Sequence, residues 1–379
     1  MIVSGNKPHW PDYRCCGVNL VGSIAAYLGM PDMHPGIPEV DSLLSRGAWR
    51  SVVLLVLDGL GSVSLGELFL DEAFLPGRHM MDLSAVYPST TVAATTSLRS
   101  GLYPNEHGWL GWTMFFPQTG TSVDVFSNQV QFTQQPAPFP HAANTFLPYT
   151  PLEKRLHKAG LAAGFAVSRY DELHADDFEQ LCDHILTLVQ GPGRQYIYAY
   201  TDQPDADMHT HGVDSLPVRR ILREIDRRLQ ALAMALPGDV LLLATADHGL
   251  IDAEPAVIEE HPRLSEMLLR PGVLEPRACA FYVKPRYHHA FPEAFSQVFG
   301  GDFLLLDTRE ALSRGLFGPG VSRQDLESYV GDYLALAISD KALFMKREHC
   351  KVLGMPAGLT EREMLVPLFA ITHKDWNIQ

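Results

Sequence analysis

Cysteine is scarce in this chain: Cys15, Cys16, Cys182, Cys279 and Cys350 are the full complement of 379 residues. None stands in a C-x-x-C or ribbon-type spacing, which excludes a zinc-finger module and a dense disulfide scaffold. Long apolar runs are missing too. The longest, 52–57 and 240–244, are strand-sized, so no membrane-spanning segment is expected. Residues 1–10 lack the apolar stretch of a secretory signal, and with the scattered thiols this predicts a cytoplasmic protein. Positive charge is in deficit, with 30 Lys and Arg against 44 Asp and Glu, for a net charge of −14. That balance argues against a nucleic-acid duplex or an anionic membrane as partner. A small anionic substrate is still compatible, because a bound dication reverses the sign of a local site.

What is present is an ordinary globular balance, with 46% hydrophobic residues and a pattern of strands alternating with helices. Ser51–Leu57 is a continuous apolar run rather than an alternating one, as expected of a strand covered on both faces in a parallel sheet. Further strands are expected at 164–168, Gln195–Thr201, 240–244, 278–283, 303–306 and 342–345, and helices at 152–159, 176–190, 311–316 and 323–336. Between them, Val218, Ile221, Leu222, Ile225, Leu229 and Leu232 share one helical face. Arg219, Arg220, Arg223, Arg227 and Arg228 lie elsewhere on it, as a solvated surface. The fold class is therefore α/β, a mainly parallel central sheet with helices on both faces and a small inserted subregion. No repeat or linker divides the chain, so 1–379 reads as a single domain. About 102–150, rich in Pro, Gln, Thr and aromatics, reads as an excursion that walls a pocket.

The chemistry gathers where strands end. Asp58 follows the first apolar run, Asp205 and His209 follow 195–201, and Asp247 and His248 follow 240–244. The carboxyl ends of parallel strands are where open α/β sheets bind ligands. Carboxylate and imidazole without thiolate suit zinc, manganese or iron rather than calcium. Singly, each pair reads as a turn or a satisfied core histidine. A further stretch turns at Pro88 and Ser89, offers Thr90 and Thr91, and runs on as a helix to Gly101. A hydroxyl there is either an N-cap or a nucleophile facing a phosphate at the helix N-terminus. Strand-end acids, two with histidines, plus that hydroxyl suggest two-metal phosphoryl transfer.

In their order and residues these elements resemble the alkaline phosphatase superfamily and, within it, the type I phosphodiesterase/nucleotide pyrophosphatase family. The matching segments are Val56-Leu-Asp-Gly-Leu-Gly61, Tyr87-Pro-Ser-Thr-Thr91 through Ser100-Gly-Leu-Tyr-Pro-Asn-Glu-His-Gly108, Pro204-Asp-Ala-Asp-Met-His-Thr-His-Gly212 and Ala246-Asp-His-Gly249. The resemblance implies a phosphodiester or pyrophosphate hydrolase acting on a small phosphorylated substrate through a phospho-threonine intermediate. It implies two divalent transition-metal ions, zinc first, with manganese or iron as alternatives. One would take Asp58, Thr91, Asp247 and His248, with Thr91 also the nucleophile, and the other Asp205 and His209. Asp207 and His211 share the latter spacing, but the family's Gly three residues after the His matches Gly212. His211 is then a neighbour or substrate contact, as is Thr90.

Two positions depart from the family pattern. The late His ligand of the second metal is replaced by Pro356, ahead of Glu363-Met-Leu-Val-Pro-Leu368, so the second site is weakened or another residue such as His349 moves in. The family's phosphate-contacting Asn falls on Trp112. The alternatives are a phosphomonoesterase, phosphonate or sulfate hydrolase with the same metal core, and a degenerate, noncatalytic phosphate-ligand binder.

Overall fold

A computed structural model describes residues 7–31, 33–69, 73–133 and 135–373. Its centre is a seven-stranded sheet in the order His79–Ser84, Leu365–Ile371, Val240–Thr245, Ser51–Leu57, Gln195–Thr201, Ala163–Ser168, Leu173–His174. Only Leu365–Ile371 runs antiparallel to its neighbours; the remainder share one direction. Every residue of Ser51–Leu57 and of Val240–Thr245 is buried. Because successive side chains leave opposite faces of a strand, this means that both faces are covered, as continuous apolarity predicts. The mainly parallel α/β architecture is thus as expected.

The flanking helices form where period and caps agree. Leu216–Ala235 buries Val218, Leu222, Ile225, Leu229 and Leu232, and its N-cap Ser215 accepts from the Val218 N–H. Each such side chain contributes roughly 1.5–3 kcal/mol on burial. Its arginines face outward: Arg227 and Arg228 pair with Glu224, and Arg228 also pairs with Glu179. Thr91–Ser100 packs against Gly17–Tyr27 and ends at Gly101, whose φ of 69° is the left-handed conformation that suits glycine at a helix end.

A second sheet of seven strands, antiparallel throughout, has the order Phe303–Asp307, Tyr333–Ala337, Ala278–Phe281, Val273–Glu275, Thr113–Phe116, Thr121–Asp124, Gln129–Val130. Segments far apart in sequence meet in it, and one apolar core runs from the main sheet into its Val273, Leu274, Leu334 and Leu336. One expectation fails here. The helix expected over 323–336 is short, Leu326–Val330, and Tyr333–Ala337 is a strand. Gly331, at φ 75°, stops the helix, and pairing on both edges turns the Tyr-Leu-Ala-Leu-Ala run into strand.

Candidate active site

Asp58 follows directly on Ser51–Leu57, Asp205 begins the seven-residue helix Asp205–His211 after Gln195–Thr201, and Asp247 and His248 lie just beyond Val240–Thr245. The three strands are adjacent in the sheet, so pairing alone brings the acids together. Asp58, Asp205 and His248 each turn a ligand atom into a space where these atoms lie within 4.8 Å of one another. His248 Nε2 is 3.4 Å from Asp58 Oδ1 and 3.5 Å from Asp247 Oδ2. Its Nδ1 is 3.2 Å from the Gly249 carbonyl, a pure acceptor, so Nδ1 carries the proton and Nε2 faces the cluster. Glycine at 249 is required by space, since a Cβ would lie 1.9 Å from the Arg362 carbonyl oxygen.

The remaining ligand-type residues follow the same logic. Asp205 Oδ2 is 3.2 Å from His209 Nε2, and His209 Nδ1 donates to the Gly354 carbonyl at 2.6 Å. That bond aims Nε2 at the cluster, as outer hydrogen bonds do for ligating histidines. Asp247 Oδ1 accepts from the N–H groups of Gly59 and His248. The Tyr200 hydroxyl donates to Asp58 Oδ2 at 2.5 Å. After all these bonds, Asp58 Oδ1, Asp205 Oδ1 and Asp247 Oδ2 remain buried with no hydrogen-bond partner. Orphaned carboxylate oxygens are costly in a protein interior, and a shared cation relieves that cost. The residues therefore fit a divalent metal.

Without a cation the electrostatics are unfavourable. Burial, then Asp247 and Asp205, push the Asp58 carboxyl well above its ordinary range. Burial also raises Asp247, with His248 opposing it and Asp205 adding to it. Burial works to lower His209, but the adjoining Asp205 and the Gly354 carbonyl outweigh it and raise the group.

Thr91, the expected nucleophile, is the first residue of its helix, and its Oγ1 is 3.1 Å from His248 Nε2. None of the nearby hydroxyls caps this helix. Ser89 donates to the Gly358 carbonyl, Thr90 to Glu275, and Thr91 faces His248. The N-terminus thus keeps its first N–H groups free of any side-chain cap, beside Thr91 and its His248 contact. Trp112 is half exposed and edge-on to Phe126 at 5.8 Å, and its N–H is held by Glu275 at 2.7 Å. His211 is exposed on the surface, whereas Asp207 lines a neighbouring cavity of about 260 Å³ with Tyr200 and Arg169. His349 stacks on Phe132, ring centroids 4.1 Å apart, and does not join the metal-type cluster.

Sequence reasoning missed Tyr200 and Glu275. Tyr200 is the penultimate residue of a strand, with no local mark of its role. Glu275 carries the same signal as the other acids, an acid ending an apolar strand, in a strand of three residues too short to read.

A model of the type I phosphodiesterase/nucleotide pyrophosphatase family matches residues 52–299. The chain belongs to that family. Among solved structures, murine ectonucleotide pyrophosphatase/phosphodiesterase 5 is similar, with a TM-score of 0.65 and 17% identity over 85% of this chain and 88% of that one. Phosphonoacetate hydrolase from Sinorhizobium meliloti, in complex with phosphonoformate, has a TM-score of 0.62 and 17% identity over 86% of this chain and 91% of that one. At these identities the likeness shows the fold. Mouse ectonucleotide pyrophosphatase/phosphodiesterase family member 1 is 24% identical over 193 residues, 46% of this chain but 20% of that protein. The chain thus spans about a fifth of the length of this curated relative. As a member of this family it carries a carboxylate–imidazole cluster, Asp58, Asp205 and His248, capable of coordinating a divalent metal ion.

These relatives overturn the cytoplasmic expectation, since the names of the ectonucleotide pyrophosphatases place them among ectoenzymes. Five free cysteines do not specify a compartment. Among the described residues no helix is long and apolar enough to cross a membrane.

Proposed function

We propose that this family member hydrolyses phosphodiester or pyrophosphate bonds of small phosphorylated substrates, with Thr91 as nucleophile. The observation that carries the reading is the Thr91 hydroxyl, at an uncapped helix N-terminus and 3.1 Å from His248, beside three orphaned carboxylate oxygens. A similar solved structure supports it: an inactive Thr-to-Ala variant of murine ectonucleotide pyrophosphatase/phosphodiesterase 5, in complex with AMP.

Asp58, Asp247 and His248 would hold one divalent ion with Thr91, and Asp205 with His209 a second. When bound, such ions supply positive charge that lowers a hydroxyl's pKa and offsets charge on the leaving oxygen. The chain's own residues do the rest. The helix N-terminus directs N–H groups at the non-bridging oxygens, where transition-state charge develops. Thr91 Oγ gives up its proton to solvent and forms a bond to phosphorus as the bond to the leaving oxygen breaks; that oxygen departs with the bonding pair and is protonated by solvent, leaving a phospho-threonine ester. Water then attacks phosphorus, the Oγ–P bond breaks, and Thr91 regains its proton. His248, anchored through Nδ1, and His209, anchored on Gly354, keep their Nε2 atoms fixed through both steps.

Pro356 at the usual position of a late His leaves Asp205 and His209 as the second pair, so its metal should be bound more weakly than the first. Thr91→Ala is expected to lose at least about a thousandfold in kcat on bis-p-nitrophenyl phosphate, the scale on which nucleophile removal acts. Fold and first-site metal content should persist. Near wild-type turnover by this variant would end the assignment of Thr91.

A further inference from the structure

Glu275 is site chemistry that the reaction above does not use. It is 7% exposed and ends the Val273–Glu275 strand of the second sheet. Its Oε1 accepts from Thr90 Oγ1 and from the Trp112 N–H, both at 2.7 Å. No hydrogen bond reaches Oε2 from the described residues. Burial raises the Glu275 carboxyl above its ordinary range, and the two donors on Oε1, together with His248 and His209, oppose that rise and favour the carboxylate form.

The position is built. Leu274, just before it, has φ 72°, a conformation costly for a branched side chain and retained where the surroundings enforce it. Gly111 makes that approach feasible, since a Cβ there would lie 2.7 Å from Leu274 Cα. Thr90 gives up helix capping to reach the carboxylate. The result is a buried carboxyl group bonded to Thr90, the neighbour of Thr91, and within electrostatic reach of His248 and His209.

We propose that Glu275 is a specificity-determining residue that selects singly charged phosphodiesters over doubly charged phosphomonoesters. This rests on the hydrolase reading above. A diester group carries one negative charge, whereas a monoester carries about 1.5 to 2 near neutral pH. The surplus charge of the monoester meets the Glu275 carboxylate in a poorly solvated site, where like charges repel far more than in water. The carboxylate also occupies the backbone N–H of Trp112, at the position where the family's Asn would offer a phosphate a donor. That donor is denied to both kinds of ester, so the discrimination rests on the repulsion alone.

The test compares kcat/KM for bis-p-nitrophenyl phosphate and p-nitrophenyl phosphate at pH 8, with metal content measured on each sample. Glu275→Gln keeps an acceptor for Thr90 and Trp112 and removes the charge. Its diester-to-monoester ratio should fall by about tenfold or more, the equivalent of about 1.4 kcal/mol, through a gain on the monoester. Glu275→Asp, which keeps the charge, should retain the preference. An unchanged ratio, an equal loss on both substrates, or loss of bound metal in E275Q would overturn the proposal. A probe on the unaltered protein removes any dependence on folding of the variant: p-nitrophenyl methylphosphonate has one charge and one ester group. It should be turned over at the diester's level; rejection like p-nitrophenyl phosphate overturns the inference. Metal-loaded wild type inactive on all these substrates would instead sink the hydrolase reading.

Discussion

Replacing Asp58 by Asn should stabilise the metal-free protein while depriving it of its metal response. In the metal-free site, Asp58 and Asp205 turn ligand atoms to within 4.8 Å of each other, and one oxygen of each is an orphan. Two unit charges at that distance repel by about 3.5 kcal/mol at an effective dielectric constant near 20. A proton retained on the cluster, which the raised Asp58 and Asp247 favour, relieves part of this, so the gain should be about 1–3 kcal/mol. Asn preserves the shape and still accepts from Tyr200. Unfolding entropy near 2.1 cal/mol/K per residue over 379 residues is about 0.8 kcal/mol/K, so Tm should rise by roughly 1–4 °C. The assay is thermal unfolding at pH 8 with chelator, then with zinc or manganese. Metal at a thousand times its Kd stabilises wild type by about 4.1 kcal/mol, or roughly 5 °C. The variant should gain far less, so that the gap closes. A chelated variant less stable than wild type, or equal metal-induced shifts in both proteins, would refute the reasoning.

Two further outcomes follow from the same structure. Folded-state values of Asp58, Asp247 and His209 are all raised, so the chelated folded protein binds more protons than the unfolded chain. The carboxyl contribution is lost as pH climbs from about 4 through the raised values, and that of His209 from about 6.5 upward. Chelated Tm should therefore decline between about pH 5.5 and 8.5 and decline less with metal present, whereas a Tm that climbs with pH contradicts the assignment. Arg277 and Glu363 form a doubly hydrogen-bonded ion pair with both side chains fully buried, and Glu363 also accepts from Gly358 N and Thr360. Arg277→Met leaves that carboxylate without its cation, so urea denaturation should report a loss of about 3–5 kcal/mol; a loss under 1 kcal/mol would mean that the pair is dispensable.

The legible parts of this site were those encoded locally. Asp58, Asp247 and His248 sit at the ends of buried strands, and apolar continuity marks such strands in any parallel sheet. Asp205 and His209 are joined by helical spacing. Glu275 was not legible because its place depends on two long-range accommodations, the space left by Gly111 and the strained backbone of Leu274. The helix cap at Thr90 failed for a related reason, since a buried carboxylate from residue 275 competes better for the hydroxyl than the local N–H groups do. Tyr333–Ala337 was misread because Leu and Ala favour helices in isolation, and only its strand partners on both edges decide otherwise.

The antiparallel strand Leu365–Ile371 lies inside the main sheet, between His79–Ser84 and Val240–Thr245. Residues just before it also grip the site: Glu363 O accepts from Gly249 N, and Met364 O from Ala85 N. During synthesis, a ribosome-bound chain that has not yet delivered residues 361–371 has all the metal-type acids and the Thr91 helix, but a gap in the sheet beside them. The two strands flanking that gap present bare edges, the kind of surface on which nascent chains mispair. Pairing of this strand therefore couples completion of the main sheet to the placement of Asp247, His248 and the Thr91 turn in one site.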